Sequence, residues 1–309
     1  MVIDMDMQEK MLKEMYEARE SGLYSVASLD MFNILDNLDI SDKLYSHLGY
    51  MNELLVEYLD EVMELDNVKP GLSEFLRALR VGDVVDNQKL DEQNSFLIGL
   101  YMQLSRETAM GKLIKYAKNG KKITGTDMFN LNNTLLYGTS SEDDGAVRTE
   151  NNKFVGKFVN GERIIDYFPI DCVYVKDAAA RIALLYSDRL TGSEYENVFI
   201  QPFLIHGLLG GLQIFNDGNT RMGRVMQHAL MWQLINERTK FNFDMPPVYA
   251  TRSYYPLRYK YRDDITKLVI DGDNYAWNNW FDFNLDIVED SIYAGRENVK
   301  TLKRKLNYY

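Results

Sequence analysis

The sequence predicts a mainly α protein: a helical bundle that carries one β-hairpin and is preceded by an N-terminal helical region. Three observations carry this prediction. Apolar residues recur at helical spacing along most of the 309 residues. One run, Asn197 to Gly211, is apolar enough to form a central helix. Short β-prone runs gather in a single stretch, residues 145–170, of an otherwise helical chain.

In chain order, residues 4–20 read as an amphipathic helix with Met7, Met11, Leu12 and Met15 on one stripe. Leu29 to Leu35 gives a second, short helix. Asp42 to Leu65 gives a long one, with Ser41 as its N-cap and Leu44, Leu48, Met51, Leu55, Tyr58 and Val62 as its buried face. Pro70 and Gly71 break the pattern before a short helix, Leu72 to Leu79. Residues 81–93 read as an acidic loop, and Asn94 to Tyr116 as a further helix. Thr124 to Leu136 follows, capped by a threonine, and Gly138 to Asp144 reads as a polar loop. Between Gly145 and Phe158, Asn151-Asn152 separates two β-prone runs, which suggests a hairpin turning there; Ile164 to Ile170 reads as a third extended segment. Val173 to Arg189 and Asn197 to Gly211 are core helices. Another runs from Met222 to Ile235, with a methionine-rich stripe that suits core packing. Glu297 to Tyr309 reads as a basic, solvated helical end.

Composition narrows the function. A hydrophobic content of 46% supplies a sizeable core. A formal net charge of −11 disfavours non-specific nucleic-acid binding. No apolar run is long enough to span a bilayer, and the N-terminus has no signal-peptide core. With Cys172 as the single cysteine, an intrachain disulfide is excluded, and a cytoplasmic setting is expected. His47, His206 and His228 are scattered and show no zinc spacing. His206, inside the most apolar helix, reads as a core histidine with satisfied hydrogen bonds; His228 reads as a packing or solvent-facing residue.

The chemistry concentrates in Gln213-Ile214-Phe215-Asn216-Asp217-Gly218-Asn219-Thr220-Arg221-Met222-Gly223-Arg224. An apolar helix enters it and a second helix leaves it. Asp-Gly-Asn suits the tight turn between them. The start of the second helix exposes unpaired N–H groups and a partial positive charge, so it attracts anions. Arg221 and Arg224, three apart, share one face there. Asp217 is a hard oxygen ligand of the kind Mg²⁺ takes beside a phosphate. Surface ion pairing is the plain alternative for these arginines.

This stretch resembles the signature of the Fic (Fic/Doc) family, His-x-Phe-x-[Asp/Glu]-Gly-Asn-Gly-Arg-x-x-Arg. Phe215, Asp217, Gly218, Asn219, Arg221 and Arg224 match it; Gln213 replaces the histidine that serves as general base, and Thr220 replaces a glycine. The resemblance covers about residues 120–295, which divides the chain into an N-terminal helical region (1–119), a Fic-like domain (120–295) and a C-terminal tail (296–309). It implies transfer of a nucleotide phosphoryl group, most often AMP from ATP, to a protein hydroxyl. Asp217 would hold Mg²⁺, while Gly218, Asn219, Thr220 and Arg221 would cradle the phosphates. Arg224 would hold the terminal phosphate, and Gln213 would at most orient the nucleophile, since an amide is not a base. The resemblance also implies a hairpin flap that docks the target protein, here Arg148, Phe154 and Val155. Tyr254 and Tyr255 either help hold the base or pack in the core. Glycine at position 220 goes with AMP transfer, and lysine with phosphate transfer in the Doc branch; threonine fits neither. The family's inhibitory pattern, [Ser/Thr]-x-x-x-Glu-[Gly/Asn], is not found in this chain. The expectation is therefore a nucleotide-binding protein: an atypical adenylyltransferase, or an inactive nucleotide-binding relative acting in regulation. Delivery through a secretion system is the alternative to the cytoplasmic setting.

Overall fold

The computed structural model describes residues 5–67, 71–73, 75–77, 79, 108–137, 139, 147–159, 162–192, 195–254 and 256–305. The expected loop at 81–93, the first part of the helix expected over 94–116, most of the loop at 138–144, and Gly145, Ala146 and Tyr255 lie outside the described residues. Helix α1 spans Met5–Glu20 and α2 spans Asp42–Met63. Single helical turns at Leu29–Asn33 and Ile34–Asn37 lie between them. Residues 108–118 form α3, and α4 is Gly125–Leu136. Strands β1 (Val155–Val159) and β2 (Glu162–Tyr167) make a two-stranded antiparallel sheet. Then come α5 (Val175–Ser187), α6 (Ile200–Leu212), α7 (Asn219–Arg238), α8 (Arg258–Ile270) and α9 (Asn274–Lys305). No helix among the described residues is long and apolar enough to cross a membrane.

Local sequence explains the helix starts. Ser41 Oγ accepts from the Leu44 amide at the head of α2. Thr124 and Asp127 form a reciprocal capping box at the head of α4. Helix α6 has no side-chain cap, and every one of its residues is buried. It is the axis of the bundle, with α7 antiparallel beside it and α5, α8 and α9 around it. Helices α6 and α7 approach closely. A Cβ on Gly223 would sit 2.5 Å from the His206 ring, so only glycine lets the two backbones meet there.

His206 is fully buried and has both ring nitrogens engaged. Nδ1 lies 2.5 Å from Gln227 Oε1, and Nε2 accepts from the Tyr261 hydroxyl at 2.7 Å. It therefore ties α6 to α7 and α8, as a satisfied core histidine. His228 is also fully buried; its Nε2 accepts the Ala250 amide at 3.0 Å. The sequence left it open between packing and solvent, and the structure shows packing.

The hairpin departs from expectation. Its strands pair Val159 with Glu162, so Asn160-Gly161 separates them rather than Asn151-Asn152. Asn-Gly is the stronger hairpin dipeptide, because both residues accept positive φ. The expected third segment, Ile164 to Ile170, supplies β2. Asn151 precedes the sheet and uses its side chain instead: Oδ1 accepts the Cys172 amide at 2.9 Å.

Helix α2 lies along α9, and their buried residues join one hydrophobic core with α6 and α7. Residues 297–305 continue α9 without a break, with Val299 buried and Lys303 paired to Glu64. Tyr58 packs flat on Gly295, where an added Cβ would come within 2.6 Å of the hydroxyl oxygen, and donates to the Pro247 carbonyl at 2.9 Å.

Two outcomes follow from this packing. Gly295→Val should destabilise the fold by about 1–3 kcal/mol through overpacking against Tyr58. Gly49→Ala, in open space on α2, should stabilise it by roughly 0.5–1 kcal/mol; urea titrations of both variants check the pair. Burial, reinforced by Arg224, pushes His206 from its ordinary value down to about 3. As the pH falls below about 6.5 the unfolded chain takes up this proton before the folded one. The His206 contribution is thus fully present above that pH and lost by about 1.4 kcal/mol per pH unit below it. The wild type should show that slope in urea melts between pH 6.5 and 5, and His206→Asn should be flatter.

Candidate functional site

The site is built where α6 ends and α7 begins. Gln213 caps α6 in the left-handed region, φ 52° and ψ 54°, the one non-glycine residue with positive φ among the described residues. Its side chain offsets the cost of that conformation. Nε2 donates to the Gly210 carbonyl at 2.6 Å, and Oε1 accepts from Asn219 Nδ2 at 3.0 Å. Asn219 in turn clamps the turn, exchanging hydrogen bonds with the Phe215 amide and carbonyl at 2.9 and 3.0 Å. The buried Phe215 side chain packs edge-on against Phe129 of α4, with ring centroids 5.8 Å apart.

Gly218, at φ 79°, turns the chain into α7; a Cβ there would sit 2.8 Å from Asn132 Oδ1. Asn132, fully buried on α4, donates to the Asp217 carbonyl at 3.0 Å and fixes the turn from below. Nothing in the sequence marked Asn132 as part of the site, beyond its being polar within an apolar stripe. No side chain caps α7 at Gly218. Asp217 Oδ2 lies 2.8 Å from Arg221, and its Oδ1 accepts the Gly218 amide at 2.6 Å. The carboxylate remains about 42% exposed, while Arg221 is mostly covered.

Beside this turn lies a cavity of about 430 Å³. The motif supplies Gln213, Thr220 and Arg224 to its wall, β1 and β2 supply Val155 and Tyr167, and α8 supplies Arg258, Tyr259, Tyr261 and Arg262. Arg224 is 1% exposed, so its charge is held in the wall rather than in bulk water. Arg262 also pairs with Asp166 of β2 at 3.1 Å, which ties the hairpin to α8 across the cavity. The Arg258 guanidinium lies 4.6 Å from the centre of the Tyr259 ring. The α8 arginines were not singled out in the sequence; two arginines four apart beside a tyrosine, Arg258-Tyr259 and Arg262, are the signal that could have found them.

The structure thus brings Gln213, Thr220, Arg224 and Val155 onto one cavity and places Asp217, Gly218, Asn219 and Arg221 on the adjoining turn. Phe154 is half-buried and directly precedes β1. Arg148 lies elsewhere than expected: it is not on the hairpin, and it is only 1% exposed. It donates to the Gln213 carbonyl at 3.1 Å, to Glu150 O at 3.2 Å and to Ile170 O. Burial and then Arg19 push its pKa down to about 10, which leaves it charged at neutral pH. The guanidinium is bound by backbone carbonyls and braces the motif through the Gln213 carbonyl. Lys153 and Asn216 add to this brace, bonding Asn216 O and Val147 O, and Val147 bridges Phe215. Tyr254 is fully buried and donates to Asn284, so it packs the core.

No protein-family model and no curated protein matches the sequence. Solved structures do match. A Fic family protein from Desulfovibrio desulfuricans G20 superposes with a TM-score of 0.52 at 14% identity, over 86% of this chain and 76% of that one. Fic-1 from C. elegans gives a TM-score of 0.41 at 16% identity, over 94% of this chain and 72% of that one. The fold assignment rests on the first, and at that identity the likeness speaks for the fold alone. A bundle with one hairpin beside the motif turn, and this superposition, agree: the chain has the Fic fold.

Proposed function

We propose that this chain binds a nucleotide with Mg²⁺ at the α6–α7 turn and its adjoining cavity, and that Gln213 holds back transfer of a nucleotide phosphate to a protein hydroxyl. The observation that carries the reading is that Gln213, Thr220 and the buried Arg224 share one cavity beside an uncapped helix start. Its size is in the range of small-molecule sites. The residues present fit the groups. The N–H groups at the start of α7, with Arg221 and Arg224, suit phosphate oxygens. Asp217 offers a half-exposed carboxylate oxygen, the donor Mg²⁺ prefers. The metal, when bound, supplies charge neutralisation between phosphates. A nucleotide phosphate would draw Arg221 from Asp217, which frees that oxygen.

Gln213 supports the restrained side of the reading. Both ends of its amide are bonded within the chain, and an amide takes no proton at useful pH. Arginines and helix start can still orient phosphates without a base, since phosphoryl transfer relies mostly on positioning and charge. A protein target would lie as an added strand along the hairpin, next to Val155. The second reading is an atypical but active nucleotidyltransferase, supported by the retention of both motif arginines.

Thermal-shift titration with ATP and Mg²⁺ tests binding. At ligand 100-fold above Kd the wild type should gain about 2.7 kcal/mol. Arg221→Ala and Arg224→Gln should lose most of that gain, with their folds checked by circular dichroism. Absence of a gain in the wild type with ATP, GTP, UTP and CTP overturns the reading. Labelled-nucleotide transfer is then measured on wild type and Gln213→His. A rise of roughly 10²–10⁴-fold in the variant supports a site intact apart from its base. Equal, robust labelling in both favours the second reading.

A further inference from the structure

On the face where α2 meets α9, three acidic residues of α9 and a histidine far from them in sequence form a compact cluster outside the motif site. Asp282, Asp286 and Glu289 lie at i, i+4 and i+7 on α9, which places them on one stripe. His47 faces them from α2. Its Nδ1 lies 2.7 Å from Asp282 Oδ1, which leaves Nε2 as the free ring nitrogen. Lys43 takes the other oxygen of Asp282 at 2.5 Å. The Tyr50 hydroxyl donates to Glu289 Oε1 at 2.8 Å and fixes that carboxylate. Asp286 lies on the exposed side of the cluster. One ligating atom each from His47, Asp286 and Glu289 lies within 4.8 Å of the others.

We propose that His47, Asp286 and Glu289 bind a divalent cation of the zinc class, with Asp282 orienting the histidine from behind. The chemistry of the donor set selects the cation. An imidazole nitrogen with two carboxylates suits zinc and its transition-metal neighbours, whereas Mg²⁺ and Ca²⁺ prefer oxygen alone. A carboxylate on the far nitrogen of a ligating histidine fixes its tautomer and raises its basicity, and the Asp282–His47 contact has that geometry. Tetrahedral coordination at 2.0–2.1 Å needs ligand atoms about 3.3 Å apart. Asp286 is exposed, so rotation of its side chain supplies the closure without moving either helix. Asp286 and Glu289 are like charges three apart on α9, which repel one another. A bound cation would relieve that repulsion and pin α2 to α9, with one coordination position left to water.

The test is isothermal titration of the metal-free full chain with Zn²⁺, in the presence of excess Mg²⁺, paired with thermal shift. One equivalent should bind and raise Tm. His47→Gln and Asp286→Asn should each weaken binding at least 10-fold, and Asp282→Asn by roughly 10–100-fold. Asp42→Asn, on α2 but outside the cluster, should bind as the wild type does. Circular dichroism confirms that the variants fold, and Asp286→Asn, being exposed, keeps the test decisive if His47→Gln does not. Failure of the wild type to bind a stoichiometric equivalent overturns the proposal. So does full affinity retained in both ligand variants, or displacement by Mg²⁺, which would reduce the cluster to an acidic surface.

Discussion

The left-handed turn at Gln213 is the constraint on which the site depends. A side chain in this conformation costs roughly 1–2 kcal/mol, and it persists because the surroundings over-determine it. The Gln213 amide bridges Gly210 and Asn219, Asn219 clamps Phe215, Arg148 holds the Gln213 carbonyl, and Asn132 supports Asp217. Together these bonds reverse the chain into α7 beside the cavity. Gln213 is thus the keystone of the backbone at this turn.

The electrostatics are local rather than global. A chain of net charge −11 nevertheless collects Arg224, Arg258 and Arg262 around one cavity. Buried guanidinium groups are tolerable where carbonyls, carboxylates or ring faces receive them. Arg148 is received by carbonyl dipoles and Arg262 by Asp166, and Arg224 sits buried in the cavity wall.

The helices were legible because their apolar periodicity is long and their caps are explicit, as at Ser41 and Thr124. The motif turn was legible because Asp-Gly-Asn has few alternatives between an apolar helix and a second one. The hairpin was misplaced by the Asn151-Asn152 pair, whose side chain answers a backbone amide instead of turning the chain. Arg148 reads as surface in sequence because a charge in a polar stretch usually is; its burial depends on carbonyls contributed by residues 2 to 65 positions away. His47 and Asp282 stand 235 positions apart, so no spacing rule could join them. What the sequence shows least well is therefore what depends on tertiary proximity.

The pairing of α2 with α9 has a consequence for how the chain is made. During synthesis the apolar face of α2, with Leu44, Leu48, Met51, Leu55 and Tyr58, emerges more than two hundred residues before the helix that covers it. Until then that stripe is exposed, a state that favours aggregation and the attention of chaperones. The core can close only after α9 leaves the ribosome, so α2 waits for a helix made more than two hundred residues later.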